Sequence, residues 1–145
     1  MIHKKQKQAE QLCKDIAYLR SGKCCEICGK PGREIHHIFF GIRWMNCWPA
    51  RCNPAFFVNL CPREHKPGND KKGDCPWAPH VNNILFLEKI AAVLWEKDPE
   101  RIDEIQNFIN MPPSDPGEAN WDSMIRKLKK KKKYLEVTTW MDEAT

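Results

Sequence analysis

Apolar residues recur every three or four positions between Lys4 and Arg20. Residues on one face of an α-helix have this spacing, and the following Ser21-Gly22 pair is a typical signal for the end of a helix. The pattern predicts an N-terminal helix that packs through one face. The residues of that face are Ala9, Leu12, Cys13, Ile16, Ala17 and Leu19.

Two short segments in the middle of the chain are predicted strands. Arg33 to Phe40 is rich in β-branched and aromatic residues, and Ala55 to Leu60 is a continuous apolar run. The irregular segment from Gly41 to Pro54 joins them, so we expect the two strands to face each other across a long loop. Lys66 to Pro79 is polar and interrupted by proline and glycine, which predicts a surface loop.

Helical spacing returns after this loop. It predicts a helix from about Asn82 to Glu96 and another from the N-cap Asp98 to about Phe108. The Met111-Pro112-Pro113 segment ends the second of these helices. A basic helix from Asn120 to about Lys133 is expected to pack through Trp121, Met124, Ile125 and Leu128, and the pattern assigns no structure to the tail from Tyr134 to Thr145.

The composition favours one small domain with helical extensions. The chain has 145 residues, of which 41% are hydrophobic. No segment approaches the roughly 18 to 20 apolar residues that a membrane span requires, and the start, Met1 to Gln6, is polar in place of the apolar region of a signal peptide. We therefore expect a cytoplasmic protein with no membrane partner. The sequence does not indicate an oligomeric state.

Eight cysteines in so short a chain indicate metal binding. Without an export signal, a reducing compartment favours thiolates over disulfides. Cys25, Cys28 and Cys61 supply three thiolates at a spacing typical of a structural zinc site, which requires a fourth ligand. Cys75 is one candidate for that ligand, and the alternatives are Cys24, Cys47, Cys52 and Glu64.

The formal net charge of +5 is concentrated in a basic run from Arg126 to Lys133. Clustered basic residues make a phosphate polymer a plausible partner, although a solvated lysine face has the same composition. Candidate nucleic-acid contacts are the residues of this run and the arginines near the histidine pair described next, namely Lys129, Lys130, Lys131, Arg43, Arg51 and Arg63.

The adjacent residues His36 and His37 are the strongest functional signal in the chain. They follow the Cys25-Glu26-Ile27-Cys28 turn and lie in the first predicted strand. Successive side chains of a strand point to opposite faces, so two neighbouring imidazoles can perform different tasks. One can bind a metal ion while the other faces a substrate.

These motifs resemble the HNH endonuclease family, the ββα-metal nucleases, and particularly its small members encoded by phages and prophages. The resemblance rests on three segments and covers roughly Cys24 to Asp98. They are Cys25-Glu26-Ile27-Cys28-Gly29, His36-His37-Ile38-Phe39-Phe40-Gly41 and Leu60-Cys61-Pro62-Arg63-Glu64-His65. The resemblance implies an α+β fold with a ββα-metal core and a zinc knuckle, flanked by N-terminal and C-terminal helices.

The resemblance also implies a mechanism. His36 is the expected ligand of a catalytic Mg²⁺, Mn²⁺ or similar ion, and His37 is the expected general base. His65, and with less support His80, would complete that metal site. The central asparagine of the family, which supports the loop between the strands, has no clear counterpart here, and Asn59 is the nearest substitute. The expected reaction is phosphodiester hydrolysis in DNA that leaves 5′-phosphates.

This interpretation divides the chain into residues 1–22 as an N-terminal helix, 23–98 as the nuclease core and 99–145 as a helical extension with the basic run and tail. The alternative function is a non-catalytic, zinc-stabilised nucleic-acid-binding or recombination-accessory protein. RNA also remains a possible substrate, because the catalytic residues alone do not read the 2′-hydroxyl.

Overall fold

The computed structural model describes residues 2–38, 51–61, 83–110 and 118–144. Within these ranges the protein is α+β, with four helices and one two-stranded sheet. In chain order the elements are α1 (Ile2–Arg20), β1 (Glu34–His37), a 3₁₀ helix (Pro54–Phe56), β2 (Phe57–Leu60), α2 (Asn83–Lys97), α3 (Pro99–Ile109) and α4 (Glu118–Ala144).

The strands β1 and β2 pair with each other, as the sequence predicts, and the structure shows that the pairing is antiparallel. The register places His36 opposite Val58 and His37 opposite Phe57. The second strand starts later than expected, because Asn53 and Pro54 begin a helical turn before it. The Asn53 side chain accepts a hydrogen bond from the Ala55 amide at 3.0 Å, and proline occupies the first turn, where its missing amide costs nothing.

Alternate residues of the sheet face two different apolar clusters. Phe57 belongs to a cluster formed with α1 and α4, and Ile35 packs against it. Val58 and Leu60 belong to a second cluster formed with α2, which also contains Ile38. The sheet is therefore the middle layer between α1 with α4 on one face and α2 on the other.

Helices α1 and α4 pack side by side and run parallel. Two ion pairs establish the direction, because Lys5 pairs with Asp122 at 3.1 Å and Asp15 pairs with Lys132 at 3.0 Å. From the first ion pair to the second, the residue number rises in both helices, so the helices point in the same direction. The interface between the helices is apolar, and its buried members include Ala9, Leu12, Ile16, Trp121, Ile125 and Leu128.

The helix boundaries agree with the sequence pattern in most places. Asp98 caps α3 and accepts a hydrogen bond from the Arg101 amide at 3.3 Å. The unassigned tail is helical, since α4 continues to Ala144. At the end of α1, the Arg20 guanidinium donates to the carbonyls of Pro54 and Phe57 at 2.9 and 2.8 Å, which fixes the start of β2 against the helix.

Replacement of Trp121 by alanine tests the packing of α4 on α1. Trp121 is 1% exposed, so Trp121→Ala should lower the free energy of unfolding by about 3 to 5 kcal/mol through lost apolar burial and a residual cavity. Urea denaturation measures this change. Trp95 is 67% exposed, and Trp95→Ala is the matched control, with an expected change below about 0.5 kcal/mol. Equal losses in the two variants would contradict the described α1–α4 interface.

Candidate functional site

The turn from Cys24 to Gly32, here called the knuckle, brings Cys25 and Cys28 together. The Cys25 amide donates to the Lys30 carbonyl at 2.7 Å, and the Gly29 amide donates to the Cys25 carbonyl at 2.9 Å. Gly29 has a φ of +80°, a conformation that glycine adopts without strain. The Cys28 amide also points at the Cys25 sulfur, at 3.5 Å, so the backbone supports a thiolate at this position.

The third cysteine comes from the end of β2. Cys61 follows Leu60, and its backbone passes directly over Gly32. A Cβ at Gly32 would lie only 2.7 Å from the Leu60 carbonyl oxygen, so this close approach requires glycine. The close contact between these two backbones brings Cys61 to the knuckle.

Cys25, Cys28 and Cys61 form a cluster that could hold a metal ion. Their sulfur atoms lie within 4.8 Å of one another, and the Cys28 and Cys61 sulfurs are 3.6 Å apart. Two thiolates on one tetrahedral zinc ion, with bonds of about 2.3 Å, would be separated by about 3.8 Å. The cysteine cluster thus fits a zinc ion, and among the described residues it is the one grouping of three metal-ligand side chains.

Two of the alternative fourth ligands are described, and neither joins the cysteine cluster. Cys52 lies in the core beside α1, where burial raises the pKa of its thiol to about 12, so the thiol is neutral at pH 7. The backbone of Cys24 forms an isolated antiparallel β-bridge with Pro31 at the base of the knuckle. The other candidates, Cys75, Cys47 and Glu64, lie outside the described residues.

The histidine pair divides between the two faces of the sheet. His37 shares its face with Ile35 and lies against α1, while His36 lies on the face that continues into Ile38 and the cluster with α2. This arrangement follows from the alternation of side chains along β1. The two imidazoles therefore have different surroundings, on opposite faces of the sheet.

His37 occupies a closed environment between α1 and the end of the loop. Its ring lies 4.1 Å from the Phe57 ring, centroid to centroid, and its Nε2 is 3.4 Å from the Arg51 carbonyl oxygen. The Glu10 carboxylate lies 3.5 Å from the same nitrogen. Burial lowers the pKa of His37 to about 4, although Glu10 and the Arg51 carbonyl act in the opposite direction. His37 is consequently neutral at pH 7.

Asn59 braces the knuckle from within the core. Its side chain is completely buried, and its amide nitrogen donates to the Gly32 carbonyl at 2.8 Å and to the Ser21 hydroxyl at 3.1 Å. It therefore holds the segment that leads from α1 into β1. Its backbone amide and carbonyl also bond Glu26, between the two knuckle cysteines.

The remaining predicted site residues are distributed as follows. Arg51 approaches Glu10, with 3.4 Å between guanidinium and carboxylate. Lys129, Lys130 and Lys131 are exposed on α4. The residues His65, His80, Arg43 and Arg63 lie outside the described residues.

Sequence reasoning missed a basic cleft between α1 and β1. The cleft has a volume of about 260 Å³. Two cations and one carboxylate line it, and that carboxylate, Asp15, pairs with Lys132, so the cleft keeps a net positive charge. Its lining residues are Gln11, Lys14, Asp15, Tyr18, Arg33 and Ile35. The Arg33 guanidinium lies over the Tyr18 ring at 4.9 Å, an arrangement typical of a cation–π contact. Neither Lys14 nor Arg33 forms an ion pair with any described residue. The signal in the sequence was the spacing of Gln11, Lys14, Asp15 and Tyr18 by three or four residues along one helix face.

Comparison with protein-family models, with curated proteins and with solved structures finds no match to this chain. None of the described helices has the length and apolar character to cross a membrane. The functional interpretation of the chain therefore rests on its own residues and on the resemblance of its motifs to those of the HNH endonuclease family.

We expect the purified protein to contain zinc bound by the cysteine cluster. Cys61→Ser should lower the zinc content at least tenfold and lower the melting temperature, because the metal joins β2 to the knuckle. Metal analysis by mass spectrometry and thermal unfolding measure the two effects. Cys24→Ser is the matched control, since Cys24 is adjacent in sequence but outside the cluster, and it should retain its zinc. Full zinc content in Cys61→Ser would contradict the assignment.

Proposed function

We propose that this protein is a metal-dependent endonuclease that hydrolyses phosphodiester bonds in DNA, built on a ββα-metal core that a structural zinc ion stabilises. The two strands of such a core correspond to β1 and β2. In the family that the chain resembles, a helix completes this core, and its first histidine matches His65, which lies outside the described residues. The proposed catalytic residues are His36 and His37.

One arrangement supports this proposal above all others. The pairing of β1 with β2 sets His36 and His37 on opposite faces of the sheet, while the end of β2 delivers Cys61 to the knuckle. A histidine pair and a cluster of three thiolates thus share one short sheet. Protein ligands fill every coordination position of a structural zinc ion, whereas a catalytic metal ion keeps positions open for water or substrate. The histidine pair places only one ring on each face of the sheet, which leaves such positions open on a metal ion bound by His36.

In the proposed reaction, His37 accepts a proton from the attacking water. A neutral imidazole performs this step, and burial keeps His37 neutral at pH 7. A divalent ion bound by His36 and by His65 would neutralise negative charge on the scissile phosphate and on the leaving oxygen. The ring of Phe57 restricts the orientation of the His37 imidazole.

The basic cleft supports a polyanionic substrate. Arg33 immediately precedes β1 and His37 ends it, a separation of about 13 Å along extended backbone, and Lys14 lies on helix α1. The charge of Lys14 also lowers the pKa of His37, after the effects of burial and of the Arg51 charge. A nucleic-acid strand in the cleft would therefore meet two cations before it reaches the imidazole.

A non-catalytic, zinc-stabilised nucleic-acid-binding protein is the second candidate. The observation that favours it is the enclosure of His37, whose side chain is only 16% exposed. A base with so little exposure has restricted contact with water. Binding to DNA without any metal-dependent cleavage would favour this candidate over the nuclease.

A nicking assay tests the proposed reaction. Wild-type protein should convert supercoiled plasmid to the open-circular form with Mg²⁺ or Mn²⁺, and EDTA should stop the reaction. His37→Ala should slow nicking by at least about 100-fold, because a general base contributes roughly that factor. His36→Ala should also abolish nicking, through loss of the divalent ion.

The matched control for these substitutions is His3→Ala, since His3 has no role in the proposal. This variant should nick at the wild-type rate, and all three variants should retain zinc and their circular dichroism spectrum. Nicking by His37→Ala at the wild-type rate would remove His37 from the base role. Wild-type protein that binds plasmid but never nicks it under any divalent ion would support the second candidate.

The double variant Lys14→Ala/Arg33→Ala tests the cleft as the path of the substrate. Loss of two phosphate contacts should weaken binding to a DNA duplex and lower the slope of log K against log salt by about 2. Fluorescence anisotropy in EDTA measures binding without cleavage. Lys89→Ala/Lys97→Ala removes the same charge from exposed positions on α2 and is the matched control. Identical salt slopes in the two double variants would exclude the cleft.

A further inference from the structure

The Arg33 guanidinium forms the outer surface of the basic cleft. It lies over the Tyr18 ring, 4.9 Å from the ring centroid. The Arg33 side chain is exposed, whereas the ring beneath it is half-buried, so the side of the guanidinium that faces away from the ring is open to solvent. An arginine normally loses rotational freedom when it binds a ligand. The contact with Tyr18 reduces this cost, because it already holds the guanidinium in place.

The other polar side chains of the cleft leave its two cations available to a ligand. Neither Lys14 nor Arg33 forms an ion pair with any described residue. The Asp15 carboxylate pairs with Lys132 at 3.0 Å and also accepts a hydrogen bond from the Gln11 side chain at 3.0 Å. The one acidic group of the lining is therefore already engaged by other partners, and an anionic ligand meets uncompensated positive charge.

The two cations match two different parts of a nucleotide. A planar guanidinium stacks on a nucleobase, whereas the ammonium of a lysine attracts a phosphate as a compact charge. Lys14 and Tyr18 are four residues apart on α1, so they share one helix face and lie about 6 Å apart along its axis. Because Arg33 lies over Tyr18, a base stacked on Arg33 and a phosphate at Lys14 can belong to the same short stretch of a strand.

Only an unpaired base can use the open side of the Arg33 guanidinium. In a duplex, each base is stacked between its neighbours, and its flat face is closed to a protein side chain. A single strand exposes these faces, and stacking on them is the usual source of affinity in proteins that bind single strands. Contacts to phosphate do not distinguish the two forms, because both carry the same backbone.

We propose that the basic cleft binds an unpaired nucleotide, whose base stacks on the Arg33 guanidinium above Tyr18 and whose phosphate lies at Lys14, so that the protein prefers single-stranded DNA to duplex DNA. The inference rests on the proposed function in taking a nucleic acid as the ligand of this cleft, but it does not require cleavage. It adds the class of substrate, which the histidine pair and the cysteine cluster do not specify.

Fluorescence anisotropy with the full-length protein, and with no divalent ion added, tests the preference. The probes are three labelled DNAs of equal length: an unstructured single strand, the same strand without its bases, and the duplex. Wild-type protein should bind the intact strand about tenfold more tightly than the abasic strand, because the two carry the same phosphates and differ only in stacking. It should also bind the intact strand more tightly than the duplex at the same salt concentration.

Arg33→Lys separates stacking from charge, since lysine keeps the positive charge and lacks the planar group. This variant should bind the intact and abasic strands equally, with the wild-type affinity for the abasic strand and the wild-type salt dependence. Tyr18→Leu should also reduce the preference, whereas Tyr18→Phe, which keeps the ring, should retain it. Arg126→Lys is the matched control, because Arg126 is exposed on α4, and it should keep the tenfold preference.

Failure of this inference and failure of the proposed function give different results. Equal binding of intact and abasic strands by the wild type, or tighter binding of the duplex, would overturn the inference even if the protein nicks plasmid. A preference that survives in Arg33→Lys would also overturn it. A preference that Arg33→Lys abolishes, in a protein that nicks DNA with no divalent ion, would sustain the inference and refute the nuclease proposal. Circular dichroism melting confirms that each variant is folded.

Discussion

The pairing of β1 with β2 over only four residues is the constraint on which the rest of the structure depends. An isolated pair of strands this short is at best marginally stable in water. Its order therefore depends on what covers it: α1 and α4 on one face, α2 on the other, and the cysteine cluster at the end of β2. Because the period of a strand is two residues, a shift of the register by one position would exchange the environments of His36 and His37.

The elements were predictable where local residues determine them. The apolar face of α1, the Asp98-Pro99 start of α3 and the packing face around Trp121 all follow from patterns within one element. The knuckle was also predictable, because the spacing of Cys25 and Cys28 and the position of Gly29 describe a local turn. These features need no information about distant parts of the chain.

Contacts between distant segments were not predictable. No spacing indicates that Glu10 meets His37, or that α1 and α4 run parallel although residues 21–117 lie between them. The partner of Glu26 was equally unpredictable. It is Arg101 of helix α3, whose guanidinium lies 2.7 Å from the Glu26 carboxylate. Such pairs depend on how whole helices and strands pack against one another, and the local patterns of a single sequence do not indicate that packing.

The Glu26–Arg101 pair shows how the cysteine cluster is coupled to the helices. Both side chains are largely buried, and removal of one partner from such a pair leaves an uncompensated charge that costs about 3 to 5 kcal/mol. Glu26 also accepts a hydrogen bond from the Asn59 amide, so a single carboxylate between two cluster cysteines bonds both β2 and α3. A metal ion on the cluster would fix the knuckle, and the knuckle would in turn fix the strand that pairs with the histidines. The stability of the fold and the geometry of the proposed site therefore depend on the same residues.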